Sequence, residues 1–101
     1  MSDACRQSGP LNEATVALVK LAVSIGSGAS RTVHAHAKKA LRAGADPRAL
    51  RQVVLVALPT IGLPATLDAL TWVEESIAEH AGDDGAATLA VTSAPARNSV
   101  G

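Results

Sequence analysis

Residues 18–45 read LVKLAVSIGSGASRTVHAHAKKALRAGA. The first part places small and branched aliphatic residues at helical spacing as far as Gly26, and the second part repeats Ala, Val and Leu every three or four positions as far as Gly44. A repeat of about 3.6 residues is typical of amphipathic helices, and glycines between two such segments mark a turn. This stretch therefore predicts two helices joined by a short connection.

The same pattern continues on both sides and predicts an all-α bundle. Four main helices are expected, over residues 11–25, 30–43, 47–58 and 65–79. Asn12, Ser30 and Asp46 supply side-chain oxygens for helix starts, and Pro47 suits a first helical position. The chain is thus divided into a flexible leader, a helical domain and a flexible tail, over residues 1–9, 10–81 and 82–101.

Two of the predicted helices have informative apolar faces. In the third helix, Leu55 and Val56 widen the apolar stripe, which predicts burial on more than one side. The inward residues expected of the fourth helix are Leu67, Leu70, Val73 and Ile77.

The composition limits what holds such a fold together. The chain has 101 residues, 48% of them hydrophobic, with one Trp, no Phe or Tyr, and Cys5 as its single cysteine. A domain of this size buries only about 60–65% of its unfolded surface, so the core is marginal without a disulfide. We therefore expect self-association. The lone cysteine predicts a cytoplasmic location, and no apolar run is long enough to cross a membrane.

The charge is balanced overall but unevenly distributed. The net charge of zero gives no reason to expect nucleic-acid binding, and it argues against a helix-turn-helix role for the second and third helices. Residues 31–51 are predominantly basic and residues 68–84 carry acids without Lys or Arg. Two interpretations are open: the two segments pair between helices or subunits, or both are solvated faces.

Two histidines lie two positions apart on the second predicted helix. The inward stripe of this helix is expected to comprise Val33, Ala37, Ala40, Leu41 and Gly44. At about 100° per residue, His34 and His36 lie roughly 80° to opposite sides of that stripe. They cannot chelate one metal from the same helix, which needs i, i+3 or i+4 spacing. No metal and no cofactor are predicted.

An ordered set of residues in this region resembles the signature of the carboxymuconolactone decarboxylase/AhpD-like family. The set comprises Leu21-Ala22-Val23-Ser24, His36, Ala40, Gly44-Ala45, Asp46-Pro47 and Gly62-Leu63-Pro64-Ala65. The resemblance covers about residues 11–80. It implies an AhpD-like helical bundle that assembles as a homo-oligomer, a trimer or a hexamer.

The departures from that signature concern its redox chemistry. The two cysteine positions of the family are Ala29 and Thr32 here, and the acid that assists proton relay in peroxidase members falls at Ala17. Peroxide reduction needs a reactive thiolate and a resolving partner. Thiol peroxidase activity is therefore disfavoured.

What remains of the resemblance is a candidate catalytic histidine. The first hypothesis is a cysteine-independent enzyme acting on a small organic acid or lactone, with His36 as acid/base. His34, Arg31 and Asp68 are the candidate substrate-binding residues: a cation such as Arg31 or Arg48 would hold a carboxylate, and Asp68 would orient His36. The alternative is a non-catalytic binding or assembly module that keeps the fold for its oligomeric surface.

Overall fold

A computed structural model describes residues 2–92, and it describes the side chains of residues 3–83. The helices are α1 (Ser2–Arg6), α2 (Glu13–Ser27), α3 (Ser30–Arg42), α4 (Pro47–Ile61) and α5 (Leu63–Thr92). No strand occurs in the described residues. The predicted all-α class is confirmed.

Side-chain caps fix the starts of α2 and α4. Asn12 Oδ1 accepts a hydrogen bond of 2.8 Å from the backbone N–H of Thr15, and Asp46 Oδ1 accepts one of 2.7 Å from that of Arg48. These bonds satisfy amides that have no partner inside the helix. Both predicted caps are confirmed, and Pro47 occupies the first turn of α4 as expected.

The start of α3 differs from the prediction. Its N-cap residue is Ala29, which offers no side-chain oxygen, and Ser30 is already helical. The preceding Gly28 adopts a left-handed conformation with φ of 78° and donates its N–H to the carbonyls of Ser24 and Ile25. A residue with a side chain rarely adopts that conformation. The turn is therefore organised by the glycine rather than by a serine cap.

The ends of α4 and α5 and the expected leader also differ from the sequence prediction. α4 continues through Pro59 to Ile61, because this proline lies in the exposed last turn, where losing one backbone hydrogen bond is tolerated. α5 continues past residue 79 to Thr92, so the helix occupies the first part of the expected tail. The remainder of that tail, residues 93–101, lies outside the described residues. Within the expected leader, residues Ser2–Arg6 form α1.

The core is a cluster of small aliphatic side chains contributed by the four long helices. α3 packs against α2 on one side and α5 on the other, and α4 closes the ring by packing against α2 and α5. The buried apolar residues are Leu21, Ile25, Val33, Ala37, Ala40, Leu41, Leu50, Val54, Ala69 and Val73. Alanines at the centre of α3 let its two neighbours approach closely.

Several apolar side chains that we expected to be inward are exposed. Leu55 and Val56 are 59% and 68% exposed, so the prediction that their helix is buried on more than one side is wrong for a single chain. Leu67, expected inward on α5, is 53% exposed because the core-facing residues of that helix are Thr66, Ala69, Val73 and Ser76. None of the helices in the described residues has the length and hydrophobicity needed to cross a bilayer.

Candidate functional site

The two histidines of α3 face opposite neighbours. His34 points toward α5, where its Nδ1 lies 2.9 Å from Ser76 Oγ and its Nε2 lies 3.0 Å from Glu75 Oε1. His36 lines a cavity on the α2 side of the same helix. The predicted divergence of the two rings to either side of the buried stripe is confirmed.

The cavity beside His36 has a volume of about 430 Å³ and lies between α2 and α3, with α1 at its edge. Its lining comprises the charged or titratable residues Arg6, Glu13, Lys20, His36, Lys39 and Arg42 and the small apolar residues Val16, Ala17 and Ala43. Four cationic side chains thus share the lining with one carboxylate.

Helical spacing brings these residues onto one surface. On α2, Glu13, Ala17 and Lys20 follow the i, i+4, i+7 pattern of a single face. On α3, His36 and Lys39 are three positions apart and so are neighbours on the helix surface. Because α2 and α3 pack directly together, the two faces meet along the cavity.

The environment of His36 favours its neutral form. Partial burial lowers the pKa of the imidazole below its ordinary value, and the positive charges of Lys39 and Lys20 lower the pKa further. Among residues 3–83, whose side chains the structure describes, the ring has no hydrogen-bond or ion-pair partner. His36 is therefore a half-buried imidazole whose pKa lies below the ordinary histidine value.

His34, unlike His36, contacts a hydroxyl group and a carboxylate. Ser76 is fully buried, and its hydroxyl also lies 2.9 Å from the backbone carbonyl of Trp72, to which it donates. A serine, a histidine and a glutamate in contact are the residue types of a hydrolase triad. Since a fully buried hydroxyl cannot reach a substrate, this group joins α3 to α5 and does not act as a nucleophile.

Ion pairs extend that connection along α5. Lys38 Nζ lies 2.5 Å from Glu79 Oε1, and Arg51 binds Glu74 through two nitrogens at 2.6 and 3.0 Å. The hydrogen bond from Arg51 lowers the pKa of the Glu74 carboxyl, and that from Lys38 lowers the pKa of Glu79. Of the two interpretations of the charge distribution, pairing between neighbouring helices is confirmed for Lys38 and Arg51.

The other residues singled out from the sequence lie away from the cavity. Arg31 is exposed in the first turn of α3, and Asp68 is exposed on α5. Neither lines the cavity, and Arg48 is paired with Asp46 at 2.9 Å. The structure thus brings His36 together with Lys20, Lys39, Arg42 and Arg6, which the sequence analysis had not singled out. The three-residue spacing from His36 to Lys39 was the available signal.

The described part of the chain contains no assembled site for thiol chemistry or for metal binding. Cys5 is a free, exposed thiol on α1. Ala29 and Thr32 are both exposed at the start of α3 and carry no sulfur. No group of three His, Cys, Asp or Glu side chains among these residues is arranged to hold a metal ion.

Comparison with known proteins gives one match. A family model described as the carboxymuconolactone decarboxylase family matches residues 1–75, which include all of α1–α4, the first part of α5 and every residue that lines the cavity. No curated protein and no solved structure matches the chain. Since the match spans about three quarters of the 101 residues, the chain belongs to the carboxymuconolactone decarboxylase family.

Proposed function

We propose that this protein is a cytoplasmic, cysteine-independent enzyme that acts on a small organic acid or lactone, with His36 as its acid/base. The observation that carries the proposal is the position of His36, half-buried in a cavity whose other titratable residues are mostly cations. Titratable groups with a pKa perturbed by burial and specific charges are enriched at functional sites. A cavity of about 430 Å³ lies within the range typical of small-molecule sites.

The charges in the lining favour an anionic substrate. Lys39 and Arg42 project from the last turns of α3, and neither forms an ion pair among the described residues. A guanidinium and an ammonium group close together are suited to hold a carboxylate. In this proposal Lys39 and Arg42 take the role that the sequence analysis gave to Arg31 or Arg48.

The reaction that fits these groups is decarboxylation beside a lactone carbonyl. The carbon–carbon bond to the carboxylate breaks, CO2 leaves, and the bonding electron pair remains on the carbon chain conjugated with the carbonyl. The His36 imidazolium then gives its proton to that carbon, and the neutral ring takes a new proton from water. Cations at the carboxylate hold the substrate in position, and a lowered pKa makes His36 a ready proton donor.

The role of His36 as proton donor determines how kcat/KM should depend on pH. Because the donor is the imidazolium, kcat/KM should fall as the pH rises through the pKa of His36, which lies below the ordinary histidine value. Lys39→Gln removes one of the positive charges that lower that pKa, so the falling limb should move to higher pH.

The test is a screen of carboxylated lactones for release of CO2 by the wild-type protein, His36→Ala and His36→Gln. We expect turnover by the wild type and a loss of about 10²–10⁴-fold in both variants, the usual contribution of a general acid or base. Unchanged turnover in His36→Ala, with an unchanged helical fold by circular dichroism, would contradict the assignment.

A second candidate function, a non-catalytic oligomeric module, is favoured by an apolar groove between α2 and α4. The groove has a volume of about 500 Å³, and its lining includes Leu18, Val19, Val53, Val56 and Ile61 but no charged side chain. Val19 and Val56 are 48% and 68% exposed in the single chain. Such an apolar surface is typical of an interface between protein chains. Binding of an organic acid with no conversion would support this candidate over the enzyme.

Both candidate functions include self-association. The family resemblance implies a trimer or a hexamer. Val56→Glu places a charge on the exposed apolar face and should lower the molar mass measured by light scattering while the helical content is kept. A wild-type protein that is monomeric at micromolar concentrations would contradict self-association.

A further inference from the structure

Glu13 is the one acidic residue in the lining of the His36 cavity. Its Oε2 lies 3.3 Å from Arg6 Nη1, and this contact joins α1 to the first turn of α2. Arg6 also contacts Asp3 within α1. The carboxylate of Glu13 therefore lies at the cationic edge of the cavity, beside a guanidinium that a ligand could also use.

The geometry of the Arg6–Glu13 pair makes it easy for another carboxylate to replace Glu13. Its single contact of 3.3 Å is longer than the 2.7–2.9 Å typical of charge-assisted hydrogen bonds. The Glu13 side chain is 74% exposed and that of Arg6 is 35% exposed. Exposed ion pairs contribute little to stability because water competes with them. A ligand carboxylate that approached Arg6 Nη1 at 2.7–2.9 Å would make a stronger contact than Glu13 does.

Glu13 contacts Arg6 and not His36. The charges that shift the pKa of His36 are those of Lys39 and Lys20, and both lower it, whereas a carboxylate nearby would raise it. Arg6 is accordingly the group in this cavity that Glu13 contacts.

We infer that Glu13 is a resident carboxylate that holds Arg6 when no ligand is bound, and that the carboxylate of an incoming organic anion displaces it. Glu13 then lowers the affinity of the cavity for those carboxylated ligands that bind Arg6. A small dicarboxylate, with one carboxylate at Lys39 and Arg42 and the other at Arg6, has to displace Glu13 and is therefore a suitable probe. This inference rests on the proposed function, since it needs an anionic ligand in the His36 cavity.

The test is calorimetric titration of the full chain with succinate, as a dicarboxylate probe, at low ionic strength. Glu13→Gln should bind succinate roughly two- to five-fold more tightly than the wild type, and Arg6→Gln should bind it less tightly by a similar factor. When Arg6 is already replaced, as in the double variant Arg6→Gln/Glu13→Gln, the Glu13→Gln change should no longer tighten succinate binding, because the contact that succinate displaces is absent.

The double variant separates displacement from a general effect of charge. If Glu13 acted only through its distant field, its removal would tighten binding equally with or without Arg6, and that result would overturn the inference. Asp83→Asn, which removes one negative charge from an exposed position of α5, should leave the affinity unchanged. A gain in Asp83→Asn equal to that in Glu13→Gln would also overturn it.

Failure of the inference can be told from failure of the proposed function. Succinate binding by the wild type that is weakened by Lys39→Gln, but not strengthened by Glu13→Gln, would overturn the role of Glu13 alone. No succinate binding by any of these variants would overturn both the anion site and the inference built on it.

Discussion

The two sides of α3 carry two histidines in opposite electrostatic settings. On the α5 side, His34 contacts Glu75 and Ser76, and Lys38 one turn further on is paired with Glu79. On the α2 side, His36 lies among cations, and the charges that act on it are those of Lys39 and Lys20. Two histidines that are two positions apart on one helix therefore lie in different electrostatic surroundings.

The difference teaches which charges hold the fold and which form a site. Lys38 of α3 and Arg51 of α4 each pair with a carboxylate of α5, and groups paired in this way have little left to offer a ligand. Where like charges gather around a titratable ring, the arrangement costs stability and lowers the pKa of the ring. A titratable ring whose pKa is shifted by nearby charges is typical of binding and catalytic sites.

Of the substitutions that test this difference between the two sides of α3, His36→Ala should have the largest effect. Turnover should fall by about 10²–10⁴-fold, since a proton donor is lost from the cavity. The free energy of unfolding should change little, because the ring is only half-buried and forms no hydrogen bond among the described residues. The checks are CO2 release and urea unfolding of the same preparations. A variant that unfolds far more easily would show that His36 is part of the core instead.

A smaller effect is expected on the opposite side of α3. Ser76→Ala removes the buried hydroxyl that contacts His34, and it should lower the free energy of unfolding by about 1 kcal/mol while turnover is kept. The matched control is Ser24→Ala, whose buried hydroxyl donates only to the Leu21 carbonyl within its own helix. A loss no larger than that of the control would show that the contact between α3 and α5 contributes nothing to stability.

The smallest effect concerns the pH dependence of stability. The pKa of His36 is lowered in the folded chain, so the unfolded chain binds a proton more readily. The folded protein should therefore lose stability as the pH falls from about 8 to about 5, through the unfolded histidine pKa, and His36→Gln should lose less. Urea unfolding at the two pH values measures the difference. Equal losses in the two proteins would contradict a lowered pKa.

The sequence predicted the helical frame better than the surroundings of the site. Asn12 and Asp46-Pro47 gave two helix starts correctly because capping depends on residues only a few positions apart. The division of His34 and His36 to opposite sides of α3 followed from helical geometry alone.

The cationic lining could not be predicted in the same way. Lys20 lies on a different helix from His36, and the periodicity of one helix does not say which neighbour each of its faces meets. Arg31 has the positive charge that a carboxylate ligand needs, yet it is exposed and lies outside the cavity lining. Packing between α2 and α3, rather than any local pattern, selects the cations that surround His36.

The measurement that tests the central claim most directly is an NMR pH titration of the His36 ring, with its signal identified by its absence from His36→Gln. We predict a pKa below the ordinary histidine value in the wild type, a higher pKa in Lys39→Gln, and a rise in the wild-type pKa when succinate is added. A pKa at or above the ordinary value that responds neither to Lys39→Gln nor to succinate would contradict the assignment of this cavity as a cationic acid/base site.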